Sequence, residues 1–307
     1  MKKDFVVTRK KSTFAGLLLK DRMSVFEAIA TYEHLADAFI ACLLSAITCG
    51  IVGSYVVARR MVFLSGGITH ASFGGLGLAL YAGFNPLLGA LAFASAASIG
   101  VEFASRRGRI REDSAIGIIW SIGMALGALF MSLTPGYAAE LPSYLFGSIS
   151  LVDSRDIKWL VALMVVVVAG ALLWGRKIMY ITFDEEYARS QGLPVSLMSY
   201  IMAVVVAITI VLSIKVMGIV LLMSLVTIPT VSANAITKDF RYITPLAVAI
   251  ALVCNVAGFI MSYEIELPNG VGLPTGSCII FLLSIVLLVA KIIDITLRRV
   301  HKRTTRV

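Results

Sequence analysis

The stretch SLMSYIMAVVVAITIVLSIKVMGIVLLMSLVTIPTVSANAIT, residues 196–237, decides the class of fold, because it holds a single charged residue, Lys215. A helix that crosses a bilayer needs about 20 mostly apolar residues, and the core of a soluble protein does not supply many such runs. Lys215 divides the stretch into two runs of that size. We therefore predict two membrane-spanning helices here, at 196–214 and 216–237.

Comparable runs fill much of the remaining sequence, and 59% of the 307 residues are hydrophobic. The longest run without a charge, 61–101, exceeds one span, and Asn85-Pro86 in its middle predicts a turn between two helices. The chain is predicted to be an all-α integral membrane protein, a polytopic helical bundle of about nine (eight to nine) transmembrane helices. The other seven spans are predicted at 35–58, 61–84, 86–105, 114–134, 157–175, 242–262 and 274–293.

The net charge of +9 is carried mainly by lysines and arginines at the ends of the predicted spans. Basic residues that flank spans on one side mark the cytoplasmic side, so this charge does not indicate a nucleic-acid partner. The pattern divides the chain into a transmembrane domain at 35–295, with a large cytoplasmic loop at 176–195, and a basic cytoplasmic tail at 296–307. The basic N-terminal tract, 1–34, lacks the apolar run of a secretory signal, and its side of the membrane stays open.

The loop 176–195 carries the signals of a short helix. Thr182 with Glu185 forms a capping-box pattern, acidic residues fill the first turn, and Gly192 predicts the end of the helix. A helix on the cytoplasmic face is either structural filler or a docking element for a soluble partner. The residues alone favour neither interpretation.

The segment FLSGGITHASFGGLG, residues 63–77, holds one histidine among glycines inside a predicted span. Small residues spaced by four allow helices to pack closely in lipid, which explains the glycines. His70 is different, because an ionisable residue at membrane depth is a functional candidate and neutral imidazole binds divalent transition metals. The sequence contains no catalytic constellation and no P-loop motif, so we do not expect the chain to bind ATP by itself.

The second half of the opening stretch contains residues that interrupt a regular helix. Pro229 removes a backbone hydrogen bond and predicts a kink, with Gly218 as a second point of bending. Asn234 is a candidate to line a pathway or to hydrogen-bond a freed carbonyl. Met223 is a soft donor, but core packing is its simpler interpretation.

Several segments together resemble a known family, the membrane permease subunits of manganese-, zinc- and iron-type ABC importers, which are relatives of the vitamin B12 and iron-siderophore permeases. The resemblance extends in order over about residues 35–295 and implies the fold of a type II ABC importer permease in a prokaryotic cytoplasmic (inner) membrane. The matching segments are GIVGSYVVARRMVFLSGGITHASFGGLGLAL, REDSAIGIIWSIGMALG, LPSYLFGSISLVDSRD, DEEYARSQGLPV and KVMGIVLLMSLVTIPTVSANAIT.

The resemblance also implies partners and a division of labour. The chain would be a transport subunit rather than an enzyme, without a tightly bound cofactor, and a separate ATPase would bind ATP. An extracytoplasmic binding protein would deliver a divalent metal ion, and two permease copies would pair in the lipid. The ATPase-docking loop of the family matches Asp184, Glu185, Ala188, Arg189 and Gly192.

The chain departs from the family at Gly66, where the family has an aspartate four residues before the histidine. His70 keeps its place, but the hard carboxylate oxygen is missing, which weakens a manganese interpretation more than a zinc one. Thr69, Ser72 and Asn234 are candidates to line the pathway. The alternatives are passage of a hydrated ion, a permease for a siderophore- or cobalamin-type metal chelate, and, less favoured, a gradient-driven secondary transporter.

Overall fold

The computed structural model of the chain describes residues 25–107, 110–134, 153–265 and 273–304, and over these residues it is helical without β-strands. Eight of the helices in these ranges are long and apolar enough to cross a membrane, which confirms the predicted all-α membrane bundle. Of the described helices, only α1 and α7 are too short. The helices are α1 (Val25–Thr31), α2 (Glu33–Ala58), α3 (Val62–Ala82), α4 (Pro86–Arg107), α5 (Glu112–Ser132), α6 (Ser154–Phe183), α7 (Glu185–Ser190), α8 (Val195–Ile236), α9 (Phe240–Glu264) and α10 (Thr275–Thr304).

The longest helix, α8, has 42 residues and is interrupted at Gly218, where φ is 74° and ψ is 168°. Its first residue, Val195, packs with Ile181 near the end of α6. Just beyond its last residue, the ring of Phe240 lies 5.0 Å from the ring of Phe183, which is also at the end of α6. A straight helix of this length would hold its ends about 60 Å apart. The chain therefore turns back at Gly218.

The two arms of α8, 195–217 and 219–236, are the two spans that the opening stretch predicts. The predicted boundary at Lys215 was wrong, because the reversal requires a conformation with positive φ and extended ψ, which is essentially restricted to glycine. The two arms of α8 and the seven other long helices together make nine passes over the described residues. The first and last of these passes therefore begin and end on opposite sides of the membrane.

Glycines allow α3 to pack closely at the centre of the bundle. A Cβ atom added to Gly75 would lie 2.1 Å from the carbonyl oxygen of Gly89 in α4, and one added to Gly67 would lie 2.5 Å from Ile116 Cγ2 in α5. A real Cβ atom cannot lie so close to another heavy atom. These contacts between helices are therefore possible only because the residues are glycines. This agrees with the packing role that the spacing predicts.

One end of the bundle brings together the α2–α3 junction, the end of α4 and α7, and it is rich in arginine. The positive-inside rule identifies it as the cytoplasmic end. The short helix α1 lies at the opposite, outer end, where Val25 packs with Ala38 of α2 and Phe259 of α9. Residues 25–31 of the N-terminal tract therefore lie at the end of the bundle opposite the arginine-rich end, while residues 1–24 are not among those described.

Two predicted ends of spans differ from the structure by more than one helical turn. The span predicted at 157–175 is part of α6, which continues to Phe183 at the cytoplasmic loop. At the other end of the chain, α10 continues to Thr304, through much of the predicted basic tail at 296–307. The division into tract, transmembrane domain and tail stays a prediction.

Candidate functional site

His70 lies in the middle of α3 and is half-buried in the bundle. Its ring stacks on the ring of Trp120 in α5, with centroids 4.4 Å apart and planes inclined by 6°. The Nδ1 atom is buried and has no hydrogen-bond partner among the described residues. Buried polar atoms are nearly always hydrogen-bonded, so this nitrogen is a candidate to meet a ligand.

Gly66 lies one helical turn before His70 and faces a methionine and a tryptophan. A Cβ atom added to Gly66 would lie 3.0 Å from Met223 Cε, 3.7 Å from Met223 Sδ and 3.9 Å from Trp120 Cζ3. The surroundings of His70 are thus built by α3, α5 and α8. Met223, which the sequence alone assigns to core packing, borders the candidate pathway.

Two of the three pathway candidates lie beside His70 in the chain, and the third lies elsewhere. Thr69 Oγ1 donates to the carbonyl of Ser65 at 2.7 Å, and Ser72 Oγ donates to the carbonyl of Thr69 at 2.6 Å. Each hydroxyl oxygen keeps a lone pair that can face a cation. Asn234 is exposed near the cytoplasmic end of α8, so the structure does not bring it to His70.

The described residues contain no group of three or more His, Cys, Asp or Glu side chains that could hold a metal ion. Over the part of the chain that the structure describes, His70 therefore offers a single nitrogen rather than a closed coordination sphere. Such a contact suits an ion that passes better than an ion that stays bound.

A cavity of about 320 Å³ opens at the outer end of the bundle and reaches Ser72 on α3. Asn85 and Asp156 lie in its wall together with Lys215, whose Nζ donates to both carboxylate oxygens of Asp156 at 2.8 and 2.7 Å. Asp156 also accepts from the backbone N–H of Asp153, in the capping box that begins α6. The ion pair therefore fastens α8, just before its reversal, to the first turn of α6.

The helix predicted in the cytoplasmic loop is α7, but the prediction of its start was wrong. Its N-cap is Asp184, whose carboxylate accepts from the N–H of Tyr187 at 2.9 Å. Thr182 does not cap α7, because α6 extends through Phe183 and the Thr182 hydroxyl donates to a carbonyl within α6. Glu185 consequently takes no part in a capping box.

The other predicted docking residues divide between two faces of α7. Ala188 is fully buried in a small cluster with Ile181 and Val195, which holds α7 against α6 and α8. The side chain of Arg189 is 60% exposed. Gly192 has a φ of 74°, a left-handed conformation that favours glycine and that ends the turn after α7.

Glu185 turns towards the bundle and is held by two arginines of the bundle, while Arg189 on α7 lies 3.5 Å from its Oε2 atom. Its Oε1 atom accepts hydrogen bonds from Arg59 at 2.8 Å and from Arg106 at 2.9 Å. Partial burial acts to raise the pKa of this carboxyl, but the hydrogen bond from Arg59 and the charges of Arg106 and Arg59 hold the pKa below its ordinary value. Glu185 is therefore ionised at neutral pH.

A second carboxylate joins the same arginines from inside the bundle. Glu102, with a side chain only 3% exposed, accepts from Arg106 Nε and lies 3.8 Å from Arg59. Sequence reasoning did not single out these residues. The available signal was the spacing of four between Glu102 and Arg106 at a span end, which places both on one helix face.

Comparison with known proteins gives a consistent result over nearly the whole bundle. The model of the ABC 3 transport family matches residues 31–294. The chain is also similar to a Thermotoga maritima protein named "Probable metal transport system membrane protein", with 33% identity over 250 residues that cover 81% of this chain and 88% of the relative.

Two further similarities concern a manganese system and a solved structure. The manganese transport system membrane protein MntC of Listeria monocytogenes is 27% identical over 262 residues, which cover 85% of this chain and 93% of the relative. The structure of PsaBC from Streptococcus pneumoniae in complex with Fab covers 87% of this chain and 94% of that chain, with a TM-score of 0.74 and 22% identity. At this identity the structural match speaks for a shared fold.

Proposed function

Because the chain belongs to the ABC 3 transport family, we propose that it is the membrane permease of an ATP-binding-cassette importer that carries a divalent transition metal into the cell. The observation that carries this proposal is the family match over residues 31–294, which includes all nine passes apart from the cytoplasmic end of α10. Relatives named as metal and manganese transport proteins support the class of cargo. The chain is a multi-pass protein of the prokaryotic inner membrane.

The proposed path of the ion begins at the outer cavity and continues to His70. The cavity borders α3 at Ser72, and the same helix carries His70, whose buried Nδ1 has no hydrogen-bond partner among the described residues. Imidazole nitrogen suits zinc and other borderline metals, whereas manganese prefers carboxylate oxygen. With Gly66 in place of a carboxylate and Met223 beside it, the site favours zinc over manganese.

The proposed partners fit the two ends of the bundle. A separate ATPase docks on α7 and supplies the energy of ATP hydrolysis, since the sequence has no P-loop of its own. An extracytoplasmic metal-binding protein delivers the ion at the outer cavity. A second copy of the permease completes the surroundings of His70, because the described residues of one copy place no other His, Cys, Asp or Glu cluster there.

The test is uptake of radioactive zinc and manganese by proteoliposomes that contain the permease with its ATPase and receive the binding protein outside. We expect ATP-dependent uptake, and we expect His70→Ala to reduce it by roughly tenfold or more, since mutation of even the outer-shell partners of metal ligands costs about 10–100-fold. The matched control is His34→Ala, because His34 is exposed at the outer start of α2.

Each result of this test has a separate meaning. If the complete wild-type system took up neither metal but did take up a metal chelate, the proposed cargo would be wrong and the chelate would take its place. Unchanged uptake by His70→Ala would remove His70 from the path. A third variant, Gly66→Asp, is expected to shift the ratio of uptake from zinc towards manganese, since it adds a hard oxygen one turn from His70.

A further inference from the structure

We propose that Glu185, Arg59, Arg106 and Glu102 form a charge network that couples movement of α7 to the helix that carries His70. The inference rests on the proposed function, in which the ATPase docks on α7. Within the charge network, Glu185 is a positioning residue that passes displacement inward, rather than a contact for the ATPase.

The first observation is the direction in which Glu185 points. On α7, Arg189 is exposed, whereas the Glu185 side chain is only 31% exposed and both of its oxygens meet arginines of the bundle. Its Oε1 atom accepts from Arg59 and Arg106 at 2.8 and 2.9 Å. Because both oxygens of this carboxylate already accept hydrogen bonds from the bundle, few lone pairs remain to bind a soluble partner.

The second observation is the position of Arg59 in the chain. It is the C-cap of α2 and stands two residues before the N-cap of α3, Met61. Arg60 between them has a φ of 61°, a left-handed conformation that is uncommon outside glycine. A pull on Arg59 therefore acts on a tight junction at the start of α3, two turns before His70.

The third observation is that Arg106 extends the charge network to two further helices. It lies in the last turn of α4, and its Nη2 atom donates to Ser199 Oγ near the start of α8 at 2.6 Å. The buried Glu102, one turn earlier on α4, accepts from the same guanidinium. Glu185 thus connects α7 with the ends of α2, α4 and α8.

The balance of its charges and the cavity around it allow the charge network to rearrange. The two arginines and two glutamates of the charge network compensate each other, so their charges can be buried as a group, whereas one left alone would be costly. Arg189, which is exposed, adds an ion pair to Glu185 Oε2 at 3.5 Å from outside the bundle. The four side chains line a cavity of about 870 Å³ at the cytoplasmic end. The open volume gives the side chains room to rearrange when α7 is displaced.

The test measures the number of metal ions transported per ATP hydrolysed by the assembled permease–ATPase complex in proteoliposomes. We expect Glu185→Gln to assemble with the ATPase but to lower this ratio by about tenfold, the factor that corresponds to one lost charge-assisted hydrogen bond. Arg59→Gln should lower it similarly, although Arg59 lies outside α7. Arg59→Lys keeps the positive charge, so it should transport more metal ions per ATP hydrolysed than Arg59→Gln.

The matched control is Glu112→Gln, a glutamate in the wall of the same cavity that hydrogen-bonds to Ser105 rather than to the four network residues. Its ratio should equal that of the wild type. The inference is overturned if Glu185→Gln keeps the wild-type ratio, or if it abolishes assembly with the ATPase, which would make Glu185 a direct docking contact. Failure of the wild-type complex to transport metal would instead reject the proposed function.

Discussion

Gly66 and Gly75 both lie on α3, yet an added methyl group would meet different surroundings at the two positions. At Gly66 the nearest atom is the flexible end of Met223, at 3.0 Å. At Gly75 it is the carbonyl oxygen of Gly89 in the neighbouring helix, at 2.1 Å. A terminal methyl group can turn aside at little cost, but two helix backbones must move apart together.

We therefore predict different outcomes for alanine at the two glycines. Gly66→Ala should change the free energy of unfolding by less than about 1 kcal/mol, since alanine also favours the helix. Gly75→Ala should destabilise the bundle by about 2 kcal/mol or more, through overpacking between α3 and α4. Thermal unfolding of the purified permease in detergent measures both changes.

The control for this pair is Gly117→Ala, because Gly117 has no atom within 4 Å of the added Cβ. It should behave like Gly66→Ala. If Gly75→Ala unfolded at the wild-type temperature, the close approach of α3 and α4 would not be a property of the folded protein.

At the scale of elements, the reversal within α8 depends on one residue. Gly218 adopts a φ of 74° with a ψ of 168° and joins two antiparallel passes without a loop. Pro229, which the sequence marks as a break, is buried in backbone that remains helical. A role of either residue in gating stays a prediction.

Gly218→Ala is expected to destabilise the permease by about 2 kcal/mol, because a side chain at this φ and ψ is strained. The loss should appear as a lower midpoint of thermal unfolding in detergent. A matched substitution is Gly170→Ala on α6, where the added Cβ meets open space. Equal midpoints for the two variants would show that the chain does not turn at Gly218 in the way described.

At the scale of the whole molecule, the nine passes found over the described residues determine which side of the membrane each connection between them reaches. Phe84 follows α3 at the outer end, Tyr242 lies at the start of α9 at the cytoplasmic end, and both side chains are exposed. We predict that an impermeant maleimide added to intact cells labels Phe84→Cys and not Tyr242→Cys. Background labelling should be low, since the four native cysteines are buried. The reverse pattern of labelling would show that the bundle has the opposite orientation in the membrane.

The charge network at the cytoplasmic end should give the permease a defined response to acid. The folded-state pKa of Glu185 lies below its ordinary value of 4.5, so the stabilisation is complete above that value and is lost as the pH falls through the folded-state pKa. The stability advantage of the wild type over Glu185→Gln should therefore stay constant from about pH 8 to about pH 5 and shrink below pH 4.5. Unfolding midpoints of both proteins across this range test the sign, and an advantage that grew in acid would contradict it.

Much of this architecture could be predicted from the sequence, because a bilayer imposes strong local rules. Each pass must satisfy its own backbone hydrogen bonds within a run of about 20 apolar residues, and charges must stay near the ends. The all-α bundle, the two spans in 196–237 and the packing role of Gly67 and Gly75 follow from such rules. The segments that resemble metal-importer permeases are likewise local, and the family match over residues 31–294 confirms the resemblance.

The tertiary structure decided which residues meet across helices. Met223 beside Gly66, the two arginines around Glu185 and the pairing of Lys215 with Asp156 all join segments far apart in the chain. A hydrophobic run determines that a segment crosses the membrane. It does not determine how the helix is rotated about its axis or which helices lie beside it. For that reason the sequence alone determined a membrane bundle with a candidate histidine, whereas helix packing decided what surrounds His70 and where the chain turns back.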